Sequence, residues 1–312
     1  MKKIAILIFL IFMNYAYAQT SVVQDAKGET SLAFGKEGVI AINSKDESIS
    51  FSYGISIDKI DTTGIKSSYN YMGMSVKGKG KNGVFNILKN DDFQYDGSIG
   101  LFYFRDKIIS DNTIFQFYAS SDFLFSQFKL YDTTSDLAFD KQVYDENSRG
   151  YKVTGGINLF GKLCKSIPYI LGFSINGGQK NNTADLKQVE ISLSETQVDL
   201  ITGQVRVIEK DKKSAYQISD YLNNLMYSNV NIDFGPKLFD QFLLLAHSRW
   251  SVQENRKPHW NPALGLYFTK TGAPTEVVAG IQVQTLDWNN NAGVEKSRGE
   301  RTLVNIVAGY SF

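Results

Sequence analysis

Little in this chain of 312 residues is suited to thiol or imidazole chemistry. Cys164 is the only cysteine, so no intramolecular disulfide is possible. Histidine occurs twice, as His247 and His259. Neither charge sign prevails: 33 Lys and Arg stand against 32 Asp and Glu, which removes any electrostatic case for a nucleic-acid partner. Proline is scarce, at 5 residues, and the composition is neither disordered nor of low complexity. After residue 18 there is no run of twenty apolar residues, so no membrane helix is expected. Helical periodicity is almost missing as well. Only SAYQISDYLNNLMY, residues 214–227, fits a short helix.

The first 18 residues have a recognisable layout. A basic start, MKK, leads into the apolar run IAILIFLIFM, and small residues close it at Ala16 and Ala18. That is the order of a secretory signal peptide, with cleavage expected before Gln19. Ten apolar residues are too few to cross roughly 30 Å of hydrocarbon as a helix. An exported chain without disulfides needs another source of stability.

That source is written in period two, the period of a strand. In SISFSYGISID (48–58), Ile49, Phe51, Tyr53, Ile55 and Ile57 share one face, and Ser50, Ser52, Gly54, Ser56 and Asp58 share the other. The same alternation recurs along the chain. Val230, Ile232 and Phe234 oppose Asn229, Asn231 and Asp233; Val304, Ile306 and Ala308 oppose Asn305 and Gly309. In 242–250, Phe242, Leu244, Ala246 and Trp250 oppose His247 and Arg249, while Leu243 and Leu245 spoil the contrast.

Up to fourteen such segments can be read: 31–42, 47–57, 67–78, 95–104, 113–130, 149–160, 166–178, 186–194, 197–209, 226–235, 240–252, 258–269, 275–287 and 300–312. Most exceed the length of about 5–6 residues common in soluble sheets. They match the roughly 9–11 residues of a tilted membrane-spanning strand. With Phe312 placed on the periplasmic side, the longer connections fall mostly outside and the shorter ones mostly inside, the asymmetry of membrane barrels. The parity of 197–209 breaks near Thr202 and Gly203. The expectation is an all-β chain forming a closed antiparallel transmembrane β-barrel of 14 strands, with 12 as the alternative. Its organisation is a signal peptide over 1–18, a periplasmic N-terminal tail over 19–30 and a barrel over 31–312. In hydrocarbon an unpaired backbone group costs several kcal/mol, about the price of a lost hydrogen bond or more, so only a closed cylinder is tolerated.

The final stretch NIVAGYSF resembles the C-terminal strand of bacterial outer-membrane β-barrels. Phe312 matches the terminal aromatic, Tyr310 the aromatic two before it, and Asn305 the upstream polar position. The class usually has glycine where Val307 stands; here the glycine is Gly309. The resemblance implies a location in the Gram-negative outer membrane. It also implies that the barrel assembly machinery reads Asn305, Tyr310 and Phe312, and that the partners are outer-membrane lipids. The remaining aromatics fit interfacial girdles: Tyr69, Tyr71, Tyr95, Tyr169, Trp250, Trp260 and Trp288.

Catalysis finds no support, and no enzyme is expected. His247 and Ser248 are strand neighbours that point to opposite faces, so they do not pair as base and nucleophile. No metal or cofactor is expected either. Asp91, Asp92 and the run YDENS (144–148) read as solvated loop acids. The glycines of GKGKNG (78–83) lack a following helix that would make a phosphate loop of them. What remains is the inner face, where Asp122, Lys152, Glu190, Asp233, His247, Arg249, Gln282 and Gln284 are expected to line the lumen. The two glutamines do so if Val277, Ile281 and Val283 face lipid. A lumen of this kind implies a monomeric, porin-like channel passing small polar solutes. The alternative is a non-conducting structural or binding barrel whose outer loops (79–94, 131–148 and 210–225) contact a ligand or partner.

Overall fold

In a computed structural model of the chain, the described residues are 24–25, 32, 38–45, 47–57, 68–79, 96–110, 113–136, 141–163, 167–183, 186, 188–199, 201–239, 241–270, 273–291 and 296–311. The expected signal peptide, the loop residues 80–83, Asp91, Asp92 and Phe312 lie outside them. Twelve of the fourteen expected segments match a strand along most of their length; 31–42 is met only at its end, residues 31 and 33–37 lying outside the described ones, and 197–209 spans the turn between two strands. The described residues form fourteen strands: β1 (Val39–Asn43), β2 (Ser48–Ser56), β3 (Ser68–Lys79), β4 (Asp96–Ser110), β5 (Thr113–Tyr131), β6 (Val143–Leu163), β7 (Ile167–Lys180), β8 (Gln188–Val198), β9 (Val205–Gln217), β10 (Leu225–Leu238), β11 (Phe242–Gln253), β12 (Arg256–Lys270), β13 (Ala273–Thr285) and β14 (Thr302–Ser311).

Only twelve of them build the barrel. β1 to β7 pair in sequence, β7 pairs with β10, and β10 to β14 continue the ring. The seam closes where β1 meets β14, from Val39 opposite Ser311 to Asn43 opposite Val307. Tyr310 lies in this seam, opposite Ile40. Closure leaves no edge of the ring unpaired. The expectation of 14 barrel strands is therefore corrected to 12.

The other two strands, β8 and β9, form an antiparallel hairpin between β7 and β10. They meet the barrel through a short parallel bridge, Leu130 to Tyr216 and Tyr131 to Gln217. The physical reason is in their composition. β9 carries Arg206 and the unbroken run Glu209, Lys210, Asp211, Lys212, Lys213. A Lys or Arg facing lipid at mid-bilayer costs about 2–4 kcal/mol, and consecutive charges put some on the lipid side whatever the register. The hairpin is fastened by apolar contact instead. Phe128, Leu130 and Tyr216 are buried together, with the Tyr216 and Tyr221 rings 6.0 and 5.3 Å from Phe128. Burial pushes the Tyr216 phenol up to about 12, and the charge of Asp96 adds to the shift. The expected helix over 214–227 is also corrected. This stretch holds the end of β9, one 3-10 turn at Ile218–Asp220 and the start of β10.

The alternation read from the sequence divides the two faces of the wall. On β13 and β14, Ile281, Val304 and Ile306 are 52%, 55% and 54% exposed, whereas Gln282 and Asn305 between them are 1% and 0% exposed. The outward row Leu266, Ile281, Ile306 is continuous across three strands, as is Leu264, Val283, Val304. Val277 breaks the expected parity. A bulge sets Phe268 opposite Ala279 but Thr269 opposite Val277, and it turns the Val277 side chain inward. Trp250 on β11, Trp260 on β12 and Trp288 just after β13 form one chain of rings, with centroids 5.8 and 6.0 Å apart, and Arg298 lies over Trp288.

Connections sort by end. At the end where the β1–β14 seam begins they are short (111–112, 164–166, 239–241, 271–272), with 57–67 longer. At the opposite end lie the longer 80–95, 132–142, 181–224 and 286–301, with 44–47 and 254–255 as short exceptions. We call these the seam end and the loop end.

Inside the wall, several aromatic rings lie flat over a glycine on the neighbouring strand. Tyr118 covers its cross-strand partner Gly156, and Tyr267 covers Gly280. A Cβ added at Gly280 would run into the Tyr267 ring. Gly155, by contrast, faces outward into open space. Gly280→Val is accordingly expected to cost about 1–3 kcal/mol by overpacking. Gly155→Val should be near neutral. Urea unfolding of the two variants checks the difference.

Candidate functional site in the barrel lumen

The inner wall is lined by small and amide side chains because every strand offers its polar parity inward. They join across strands. Asn158 donates to Gln116 at 2.7 Å, Gln116 to Asp106 at 2.8 Å, Asn229 to Asn176 at 2.8 Å and Asn231 to Ser174 at 3.1 Å. These bonds satisfy groups that have little access to water.

Residues from ahead of β1 lie in this lumen. Gln24 and Asp25, expected in a periplasmic tail, are 8% and 1% exposed and sit inside the ring. That expectation is corrected for these two residues. The Asn305 side chain donates to the Gln24 carbonyl at 3.1 Å, and Asn43 donates to the Asp25 carbonyl at 2.9 Å. The Asp25 carboxylate meets three side chains of the wall through one oxygen. Arg249 Nη1 lies 2.6 Å from Oδ2, Gln284 Nε2 donates to it at 3.0 Å, and His247 Nε2 stands 3.6 Å away. The other imidazole nitrogen, Nδ1, is 2.8 Å from Asp233 Oδ1. An ion pair so deeply buried is tolerated only where further hydrogen bonds hold its members, as Gln284 does here.

Below this network, toward the seam end, the lumen is apolar. Leu32, from the same N-terminal region, is buried with Val39, Ala41, Ile170, Leu243, Leu245, Tyr267, Val277 and Val307. Leu243 and Leu245, which blurred the alternation of β11, are the inward residues of this layer. Burying one leucine fully is worth about 1.5–3 kcal/mol, so Leu32 adds to the seating of the segment.

Most expected lumen residues are on the inner wall. Asp233, His247, Arg249, Gln282 and Gln284 are buried there, and all but Gln282 belong to the Asp25 network. Asp122 and Lys152 are direct cross-strand partners on the inner parity of β5 and β6, and they are half-buried. Glu190 is corrected: it is exposed on β8, outside the barrel, because β8 is not part of the ring. Asn305 faces inward and holds Gln24. His247 and Ser248 do point apart; Ser248 accepts a hydrogen bond from Trp260 Nε1 at 2.7 Å. Sequence reading missed Gln24, Asp25, Asn43 and Leu32. Asp25 stands in a stretch without strand alternation, and nothing local marks it as the partner of an arginine more than two hundred residues away.

No protein-family model matches the chain, and no curated protein does. Among solved structures, it is similar to the translocator domain of the autotransporter NalP from Neisseria meningitidis, with 11% identity and a TM-score of 0.39 over 95% of this chain and 88% of that one. It is similar to the β domain of the Bordetella autotransporter BrkA, with 8% identity and a TM-score of 0.35 over 88% and 99%. A third likeness is to the ferric enterobactin receptor of Pseudomonas aeruginosa, with 9% identity and a TM-score of 0.30 over 81% of this chain and 45% of the receptor. These neighbours are outer-membrane β-barrels.

Proposed function

We propose that this chain is an outer-membrane channel for small polar solutes, closed at rest by its own segment ahead of β1. The observation that carries the reading is the burial of the inner wall beneath that segment. Asp233, Gln284 and Asn305 are each 0% exposed, although they line the inside of a twelve-stranded ring. Side chains bordering open water would be accessible. The closure is made by polar contacts on one side and by a single described leucine below, a seating that can be undone without opening the wall. The reading takes the chain to be a monomer without enzymatic activity, delivered by a cleaved signal peptide and the barrel assembly machinery.

Planar-bilayer recording tests it. The full-length mature chain is expected to open rarely, and Asp25→Ala to give frequent stepwise openings. Silence of both in several salts would defeat the channel.

One observation favours a second reading, a barrel that binds a partner at the loop end. The β8–β9 hairpin joins the wall at that end through Tyr216 and Gln217, and its Val198, Ile201, Val205 and Val207 are largely exposed. Apolar side chains at a hairpin tip fit a contact surface. Deleting 188–217 separates the two: a channel keeps its conductance, whereas a binder loses its partner.

A further inference from the structure

We infer that the pocket around Asp25 is a carboxylate-binding site of the barrel wall, occupied at rest by the chain's own side chain and open to small organic carboxylates when that side chain leaves. Its role in transport rests on the channel reading above; the binding itself does not.

The site is built from the wall alone. Arg249 and His247 come from β11 and Gln284 from β13, and their polar atoms converge on a single carboxylate oxygen at 2.6, 3.6 and 3.0 Å. A guanidinium flanked by an amide donor is the pairing that recognises a carboxylate. All three side chains are buried. Arg249 is 4% exposed, Gln284 0% and His247 3%, and His247 is anchored from behind by Asp233. The negative charge that completes the set is the one member not on the wall. Asp25 precedes β1; Asn43 donates to its carbonyl and Asn305 to the carbonyl of Gln24, and both are neutral amides.

Within the set the wall supplies one acid, Asp233, and that acid is already engaged by the imidazole at 2.8 Å. Withdrawal of Asp25 would leave Arg249 buried without its counter-charge, which is costly. A carboxylate from solution restores the same contacts. A solute so matched would also compete with the plug, since two carboxylates cannot occupy one site. The substrate class this assigns to the channel is small carboxylates rather than neutral or cationic solutes.

Thermal unfolding of the detergent-purified full chain tests the site without any conductance measurement. Asp25→Ala is expected to melt below wild type, and sodium formate or acetate should raise its midpoint by several degrees. Sodium chloride and sulfate at equal ionic strength should not. Wild type, with its site filled, and the double variant Asp25→Ala/Arg249→Gln should show no such rise. If Asp25→Ala does not fold, Asp25→Asn keeps the packing and is expected to respond in the same direction. An equal response in the double variant, or none in either single variant, would overturn the assignment. Rescue in a silent barrel would leave a binding site without a pore; conductance without rescue would leave a pore with no carboxylate site.

Discussion

Arg249→Met should be among the most damaging single substitutions in this barrel. The methionine fills much of the volume of the arginine stem, but it leaves the Asp25 carboxylate, now 2.6 Å from Arg249 Nη1, facing an apolar group. Removing one partner of a buried ion pair costs about 3–5 kcal/mol, because the remaining charge is uncompensated. The loss has a ceiling. The segment carrying Asp25 can return to water, so the penalty cannot exceed the free energy that seats it. Two readouts follow: a lower denaturant midpoint, and new protease cleavage in the stretch before β1. Adding Asp25→Leu to Arg249→Met should recover part of the stability, since an apolar pair replaces the ion pair. A wild-type midpoint together with an uncut N-terminal stretch in Arg249→Met would show that the contact closes nothing.

The second large effect concerns the outer face. Ile281 sits mid-strand, flanked by Leu266 and Ile306 on its two neighbours, and it is half exposed to the surroundings of the barrel. If those surroundings are lipid, Ile281→Lys should cost about 2–4 kcal/mol in urea unfolding from bilayers. Val207→Lys provides the contrast. Val207 is 64% exposed on β9, outside the ring, where a surface substitution should change stability by no more than about 0.5 kcal/mol. Equal penalties at the two positions would place the hairpin in the membrane and restore a fourteen-stranded wall. Equal neutrality would remove the lipid from both.

The two experiments probe the two halves of one design. A period-two sequence places hydrocarbon outside and amides inside, and the ring has to satisfy both. An open ring of this size would hold water against those amides. Here Gln24 and Asp25 meet three of them, Asn43, Gln284 and Asn305.

Strand positions were legible from the sequence because alternation is local. Most of the fourteen segments show which parity is apolar within ten or so residues, and both Gln282 and Gln284 fall where that parity puts them. The charge run of β9 was equally visible, although length and count alone had put β9 in the wall. Three things were decided only by the tertiary structure. The bulge opposite Thr269 turned Val277 inward, which depends on how β12 and β13 register. The ring closed by pairing β7 with β10, which excluded β8 and Glu190. Asp25 met Arg249 across the lumen. Side-chain parity is a property of a few consecutive residues, whereas register, ring size and the filling of the lumen depend on contacts between residues far apart in the chain, and those form only once the cylinder exists.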